Sequence, residues 1–177
     1  MNSLFLFCCF LMLMNNPLLI FDFNKDTDST CWKIVDDKVM GGRSGGNFYI
    51  NNEGSGVFEG YVSLENNGGF SSVRYNFESR NVDNYSKIVI RLRGDGKRYQ
   101  LRVKSNKSDS HAYINYILTT KNWQVIEIPL SEMYPTFRGR KLDIPNYPGT
   151  TLEEIAFLIG NKTAEQFKLE IDSISLH

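Results

Sequence analysis

VDDKVMGGRSGGNFYI occupies positions Val35 to Ile50. It sets two adjacent carboxylates, four glycines and an arginine between hydrophobic residues. A phosphate-binding loop needs the spacing GxxxxGKS, GxxxxGKT or GxGxxG, with a helix beginning directly after it. The glycines have none of these spacings, and the strand-like segment NFYI follows them. The stretch therefore predicts a turn or bulge between strands rather than a nucleotide site.

Short segments of alternating apolar and polar residues continue beyond this stretch. NFYI and GVFEGYVSL flank NNEGSG, which predicts a β-hairpin. FSSVRYNF, KIVIRLRG, YQLRVKS, HAYINYIL, WQVIEIPL, IAFLIG and FKLEIDSISL follow in that order. Many short strands without crossover helices predict an all-β fold, an antiparallel jelly-roll β-sandwich.

Two segments break the strand pattern. Thr151 and Glu154 form a capping box, which predicts a short helix of about one turn. Residues 131–150 have no convincing period, and a loop of that length is usually functional or tied down by its own side chains.

Length and composition indicate one domain. The 177 residues are 41% hydrophobic, enough for one substantial core, which we assign to residues 18–177. Residues 1–17 are predicted to be an apolar leader or a start-site extension, so the expected location is cytoplasmic and membrane-peripheral, or exported. The 20 basic and 20 acidic side chains cancel, so we expect no nucleic-acid partner, and a monomer is expected. Cys31 is expected to be a reduced packing residue.

The sequence contains no strong catalytic motif. The two histidines are His111, predicted within a strand, and His177, and no GxSxG motif accompanies them. No His or Cys pair has metal-ligand spacing, so we expect no catalytic residue, metal or cofactor. Asp36 and Asp37 would point to opposite faces of a strand and would not converge as an acid–base pair.

Several motifs in order resemble the complex I intermediate-associated protein 30 family. They are CWKIVDDKVMGGRSGGNF, GYVSLENNGGFSSVRY, WQVIEIPL, MYPTFRGR and LEEIAFLIG. The resemblance runs from about Phe21 to the C-terminus. It implies a galactose-binding-like sandwich and a role in assembly of a respiratory or other membrane complex, with a protein partner and no catalytic residue.

Candidate binding residues come from turns and strand faces. Asp36 is expected to accept hydrogen bonds from the glycine turn, and Arg43 to bridge that carboxylate to the loop NNGGF. Planar polar groups beside an aromatic are typical of sugar sites, and they occur in NNGGF and PTFRGR. Cations alternate with apolar residues in SVRYNF, KIVIRLRG and YQLRVKS, on the non-core face if these strands share a sheet. The predicted binding residues are Asp36, Arg43, Asn66, Asn67, Phe70, Arg74, Phe137, Arg138 and Arg140.

The sequence thus predicts a non-catalytic binding or assembly-factor-like domain with a protein partner. A carbohydrate-binding module with a sugar ligand is the alternative, and an enzyme of unknown type the third. Trp32, Phe58 and Trp123 are predicted to be core residues rather than ligand platforms.

Overall fold

The computed structural model describes residues 16–177 as two antiparallel β-sheets packed face to face. The six-stranded sheet contains β1 (Leu18–Asp22), β3 (Gly45–Ile50), β4 (Gly56–Val62), β6 (Lys87–Arg93), β9 (Gln124–Pro129) and β13 (Glu165–Leu176). The order of its strands is β3-β4-β13-β6-β9. Strand β1 pairs with the C-terminal end of β13.

The seven-stranded sheet contains β2 (Trp32–Asp36), β5 (Ser71–Asn81), β7 (Arg98–Lys104), β8 (Ala112–Leu118), β10 (Tyr134–Phe137), β11 (Arg140–Lys141) and β12 (Thr151–Ile159). Its order is β11-β10-β8-β7-β12-β5-β2. Four short 3-10 turns, Ser29–Cys31, Asp37–Met40, Glu65–Asn67 and Leu130–Glu132, lie in the connections. This architecture confirms the predicted sandwich, and the β3–β4 pairing confirms the predicted hairpin.

The core lies between the sheets because each strand alternates inward apolar and outward polar residues. In β7, for example, Tyr99, Leu101 and Val103 are fully buried while their neighbours face outward. Trp32 and Phe58 are buried as predicted, and Trp32 stacks on Tyr75 with 5.2 Å between ring centroids.

Two local predictions are wrong. Thr151 and Glu154 belong to strand β12 and not to a helix, because β12 pairs with β5 on one side and β7 on the other. Trp123 is only partly buried, with the guanidinium groups of Arg91 and Arg93 4.6 and 4.9 Å from its ring centroid. It packs against the outer surface of β6 and not in the core.

The long segment 131–150 is tied down by its own side chains. This was one of the two alternatives that its length suggested. It forms β10 and β11, and buried Tyr147 donates its hydroxyl hydrogen to the Thr151 carbonyl oxygen at 2.6 Å. Most of the predicted apolar leader, residues 1–15, lies outside the described residues. Within residues 16–177, no helix has the length and hydropathy needed to cross a bilayer.

Candidate functional site

Asp37 is a fully buried carboxylate at the centre of the glycine turn. Its Oδ1 accepts the Ser44 backbone N–H at 3.0 Å, and its Oδ2 accepts the Ser44 hydroxyl. The same Oδ2 accepts the backbone N–H groups of Gly69 at 2.6 Å and Phe70 at 3.3 Å. Ser44 Oγ in turn accepts the Ser63 N–H at 3.0 Å. One side chain thus joins the turn after β2 to the loop before β5.

The hydrogen bonds explain why a carboxylate is tolerated there. Burial by itself raises the pKa of Asp37, but the hydrogen bonds from Ser44, Gly69 and Phe70 lower it by more. The net pKa lies below the ordinary value, so Asp37 is ionised at neutral pH.

Asp36 accepts a backbone N–H from the glycine stretch, as predicted, but Arg43 does not bridge from it. Asp36 accepts the Ser71 hydroxyl at 2.6 Å and the Gly46 N–H at 3.2 Å, and it has no contact with Arg43. Arg43 instead forms an exposed ion pair with Glu65 at 2.7 Å. Because β2 ends at Asp36 and a 3-10 turn begins at Asp37, the second carboxylate takes the position expected for the first.

The outward surface of the seven-stranded sheet carries a row of cations. In register across four strands stand Lys33, Arg74, Ala156 and Arg102, with small, buried Ala156 between the two arginines. We call this surface the cationic face and define it by Lys33, Arg74, Arg98, Arg102, Lys104 and Lys141.

None of the cationic-face residues forms an ion pair within residues 16–177. The outward surface of the six-stranded sheet is different, since its cations are matched by carboxylates. Arg91 pairs with Asp172 at 2.8 Å, and Arg93 pairs with Glu170 at 2.8 Å. The predicted rows of cations therefore lie on two different sheets. Within residues 16–177, only the cations on the outward surface of the seven-stranded sheet lack ion pairs with carboxylates.

Arg102 is a partly buried cation of this face. Burial lowers its pKa, the charge of Arg74 lowers it further, and the charge of Glu154 acts in the opposite direction. Its Nη1 donates to Gln100 Oε1 at 2.8 Å, which neutralises no charge. Glu154 is buried on the same strand as Ala156, opposite Lys104, and its charge offsets part of the positive charge at Arg102.

A small cleft of about 140 Å³ opens beside Arg102. Buried Ile114 and Thr136 line it together with Tyr116 and Tyr134. Burial raises the pKa of Tyr134, and neighbouring Tyr116 adds to the shift. The remaining lining residues are Gln100, Gly139 and Lys141. The cleft thus offers hydrogen-bond donors and positive charge on a sheet surface.

The exposed tyrosine ring at this cleft already contacts a cation. Arg98 lies 4.3 Å from the ring centroid of Tyr116, which is 41% exposed, and Lys141 lies 5.4 Å from that of Tyr134. Such cation–π contacts hold the cations over the rings. A ligand approaching here meets charged groups as well as aromatic surface.

The structure does not bring the two predicted loops together. The NNGGF loop leads into β5 and the PTFRGR loop joins β10 to β11, four strands away, about 19 Å at the usual spacing. Asn66 and Asn67 have left-handed backbone conformations, and Asn66 Nδ2 donates to the Gly41 carbonyl oxygen at 3.2 Å. Their contacts within the described chain are those of a turn.

The other predicted residues occupy separate positions. Phe70 is partly buried beside the Asp37 network, and Arg74 belongs to the cationic face. Phe137 is exposed with Arg138 5.3 Å from its ring centroid, and Arg140 is exposed on β11. The β10–β11 connection flanks the cleft through Gly139 and Lys141.

A larger open hollow of about 680 Å³ lies against the six-stranded sheet, near Tyr61 and Gln166. Among its charged groups, Lys97 pairs with Asp95 at 2.8 Å, and Asp95 also accepts the backbone N–H of Lys168 at 3.0 Å. It therefore offers less uncompensated charge than the cationic face. In the described part of the chain, no group of three His, Cys, Asp or Glu side chains is arranged to hold a metal ion.

Comparison with protein families matches residues 21–171 to complex I intermediate-associated protein 30. A mitochondrial protein of that name from Mus musculus is 23% identical over 93% of this chain, and one from Drosophila melanogaster is 24% identical over 89%. The chain spans 57% and 62% of the length of these two relatives.

Among solved structures, similar folds occur in carbohydrate-binding modules. The family 11 module of the cellulase Lic26A-Cel5E of Clostridium thermocellum has a TM-score of 0.64 at 16% identity, with 91% of this chain and 94% of the module aligned. The same family of module in complex with a β-1,3-1,4-mixed-linked tetrasaccharide gives 0.63 at 17% identity, with 90% and 94% aligned. At this identity the likeness establishes the fold alone.

Proposed function

Since the chain belongs to the complex I intermediate-associated protein 30 family, we propose that it is a non-catalytic assembly factor. Its partner is a protein subunit of a respiratory or other membrane complex, held at the cationic face during assembly. The names of the two mitochondrial relatives support the class of partner.

The observation that carries this proposal is the unpaired charge of one face in a chain whose total charge is zero. A sheet surface with exposed cations, and with donors around a shallow cleft, is suited to contact with another macromolecule. Asp36 and Asp37, the adjacent carboxylates, are both engaged by backbone or hydroxyl donors and act as structural groups.

The test is genetic and biochemical. Cells of the source organism that lack the chain should accumulate assembly intermediates of the membrane complex, seen by native gel electrophoresis with activity staining. The tagged chain should comigrate with an intermediate and be absent from the mature complex. Normal levels of mature complex in the deletion strain, with no comigration, would contradict the proposal.

A saccharide is the second candidate ligand, favoured by the cleft in which Gln100 and Arg102 stand beside Tyr116 and Tyr134. Planar hydrogen-bonding groups beside aromatic rings suit sugar recognition. The alignment with modules such as the family 11 module supports this candidate. Isothermal titration with β-1,3-1,4-glucan and β-1,4-galactan oligosaccharides tests it, and binding that is lost in Tyr116→Ala would support it.

A further inference from the structure

We infer that the cationic face docks an acidic, extended peptide segment that lies across the strands of the seven-stranded sheet. The inference rests on the proposed function in one respect, that the partner is a protein. It adds the chemistry of the segment, its site and its direction.

Two arginines form the centre of the row of cations. Arg74 and Arg102 stand on the same register row with Ala156 between them, and neither has a carboxylate partner at ion-pair distance in residues 16–177. Their like charges oppose each other, and partial burial adds to the cost at Arg102. A bound carboxylate would offset both effects and could accept two parallel hydrogen bonds from a guanidinium group.

The row of cations runs across the strands of the sheet. The row from Lys33 through Arg74 to Arg102 crosses four adjacent strands, so it spans about 14 Å at the usual strand spacing. An extended peptide covers that distance with about four or five residues.

The cations beside the two tyrosine rings favour an acidic peptide over a sugar. A sugar that stacks on a ring needs an open ring face, whereas Arg98 and Lys141 already contact the rings of Tyr116 and Tyr134. These cations also widen the positive surface beside the cleft. The arrangement therefore favours carboxylates over neutral hydroxyl groups.

The experiment measures fluorescence anisotropy of the full chain with a labelled decapeptide of alternating Glu and Ser. We expect saturable binding that weakens when salt is raised from about 50 to about 300 mM. R74Q/R102Q should weaken it about tenfold or more, since two charge-assisted contacts are lost. Because Arg102 is partly buried, each variant is first checked by circular dichroism and thermal melting.

Two further variants keep the result interpretable. K87Q/R91Q removes the same amount of charge from the six-stranded sheet and should change binding less than about twofold. K33Q/K141Q alters exposed cationic-face residues only and should weaken binding even if R74Q/R102Q does not fold. Equal loss in K87Q/R91Q and R74Q/R102Q would overturn the inference, because binding would then reflect total charge.

The probes also distinguish other ligands. A decapeptide of alternating Lys and Ser should not bind. Tighter binding of an oligogalacturonate than of the Glu–Ser peptide would overturn the inference in favour of an acidic sugar. Absence of peptide binding would also overturn it. If the deletion strain shows an assembly defect that R74Q/R102Q fully rescues, the assembly role stands and the docking site is wrong. If the peptide binds as expected but the deletion strain assembles the complex normally, the proposed function fails and the acidic-segment site stands.

Discussion

At the scale of single residues, the hydrogen bonds of Asp37 connect segments that are 32 positions apart in the chain. We expect Asp37→Asn to lower the free energy of unfolding by about 1–3 kcal/mol, because an amide cannot accept every bond that Oδ2 accepts. Urea denaturation measures the change. Asp26→Asn on the exposed surface should stay within about 0.5 kcal/mol.

The effect of Asp37→Asn should depend on pH. The pKa of Asp37 is lower in the folded protein than its ordinary value of 3.8, so its stabilising effect is present above that value. It is lost as the pH falls through the folded pKa. The difference in free energy of unfolding between wild type and variant should therefore stay constant from about pH 7 to about pH 5 and shrink as the pH falls below 3.8. A difference that grows on acidification would contradict this account.

The glycines of the turn have different requirements. Gly41 has a φ of 90°, in the left-handed region, whereas a Cβ on Gly42 would collide with the Asp37 carboxylate. A Cβ on Gly45 would meet nothing within 4 Å. We expect Gly42→Ala to cost about 1–3 kcal/mol and Gly45→Ala to be nearly neutral, measured by thermal unfolding. Similar losses for both would contradict the proposed close approach.

These residues show how far sequence reasoning reaches. The pattern VDDKVMGGRSGGNF indicated a turn stabilised by a buried carboxylate, and the structure contains one. Which of the two adjacent aspartates stabilises the turn depends on whether strand β2 ends at Asp36 or one residue later. The pairing between strands decides that boundary. Arg102 and Tyr116 both lie in strands that the sequence predicts. That these two residues lie close together could be predicted only if the order of the strands in the sheet were known.

At the scale of elements, β12 illustrates how sheet pairing overrides a local signal. Thr151 and Glu154 have the spacing of a helix cap, yet Ile155 and Phe157 face the core from a strand paired on both sides. Local capping contributes about 1 kcal/mol, whereas burial of several large side chains contributes several times as much.

Two substitutions in β12 test this assignment. Ala156→Pro should prevent folding, since proline removes a backbone donor in the middle of a central strand. Thr151→Ala, which would cost about 1 kcal/mol at a helix cap, should change stability by less than about 0.5 kcal/mol at an exposed strand end. Far-ultraviolet circular dichroism and urea denaturation provide the measurements. A folded Ala156→Pro variant would contradict the central position of β12.

At the scale of the whole molecule, zero net charge conceals an uneven distribution. Although the sequence pI is about 6.7, we expect the chain to bind a cation-exchange resin near neutral pH through the cationic face. R74Q/R102Q should elute at lower salt than K87Q/R91Q, which carries the same net charge. Identical elution of the two variants would contradict a localised positive surface.

The strand order also has a consequence for biosynthesis. β12 and β13, the last two strands, lie inside their sheets, and β13 pairs with β1, β4 and β6. While the ribosome is still translating, the earlier strands have no central partner, and their apolar sides stay open for roughly 10–30 s at ordinary elongation rates. Nascent chains of this protein should therefore depend on chaperones that bind unfolded polypeptide until the last strand has emerged.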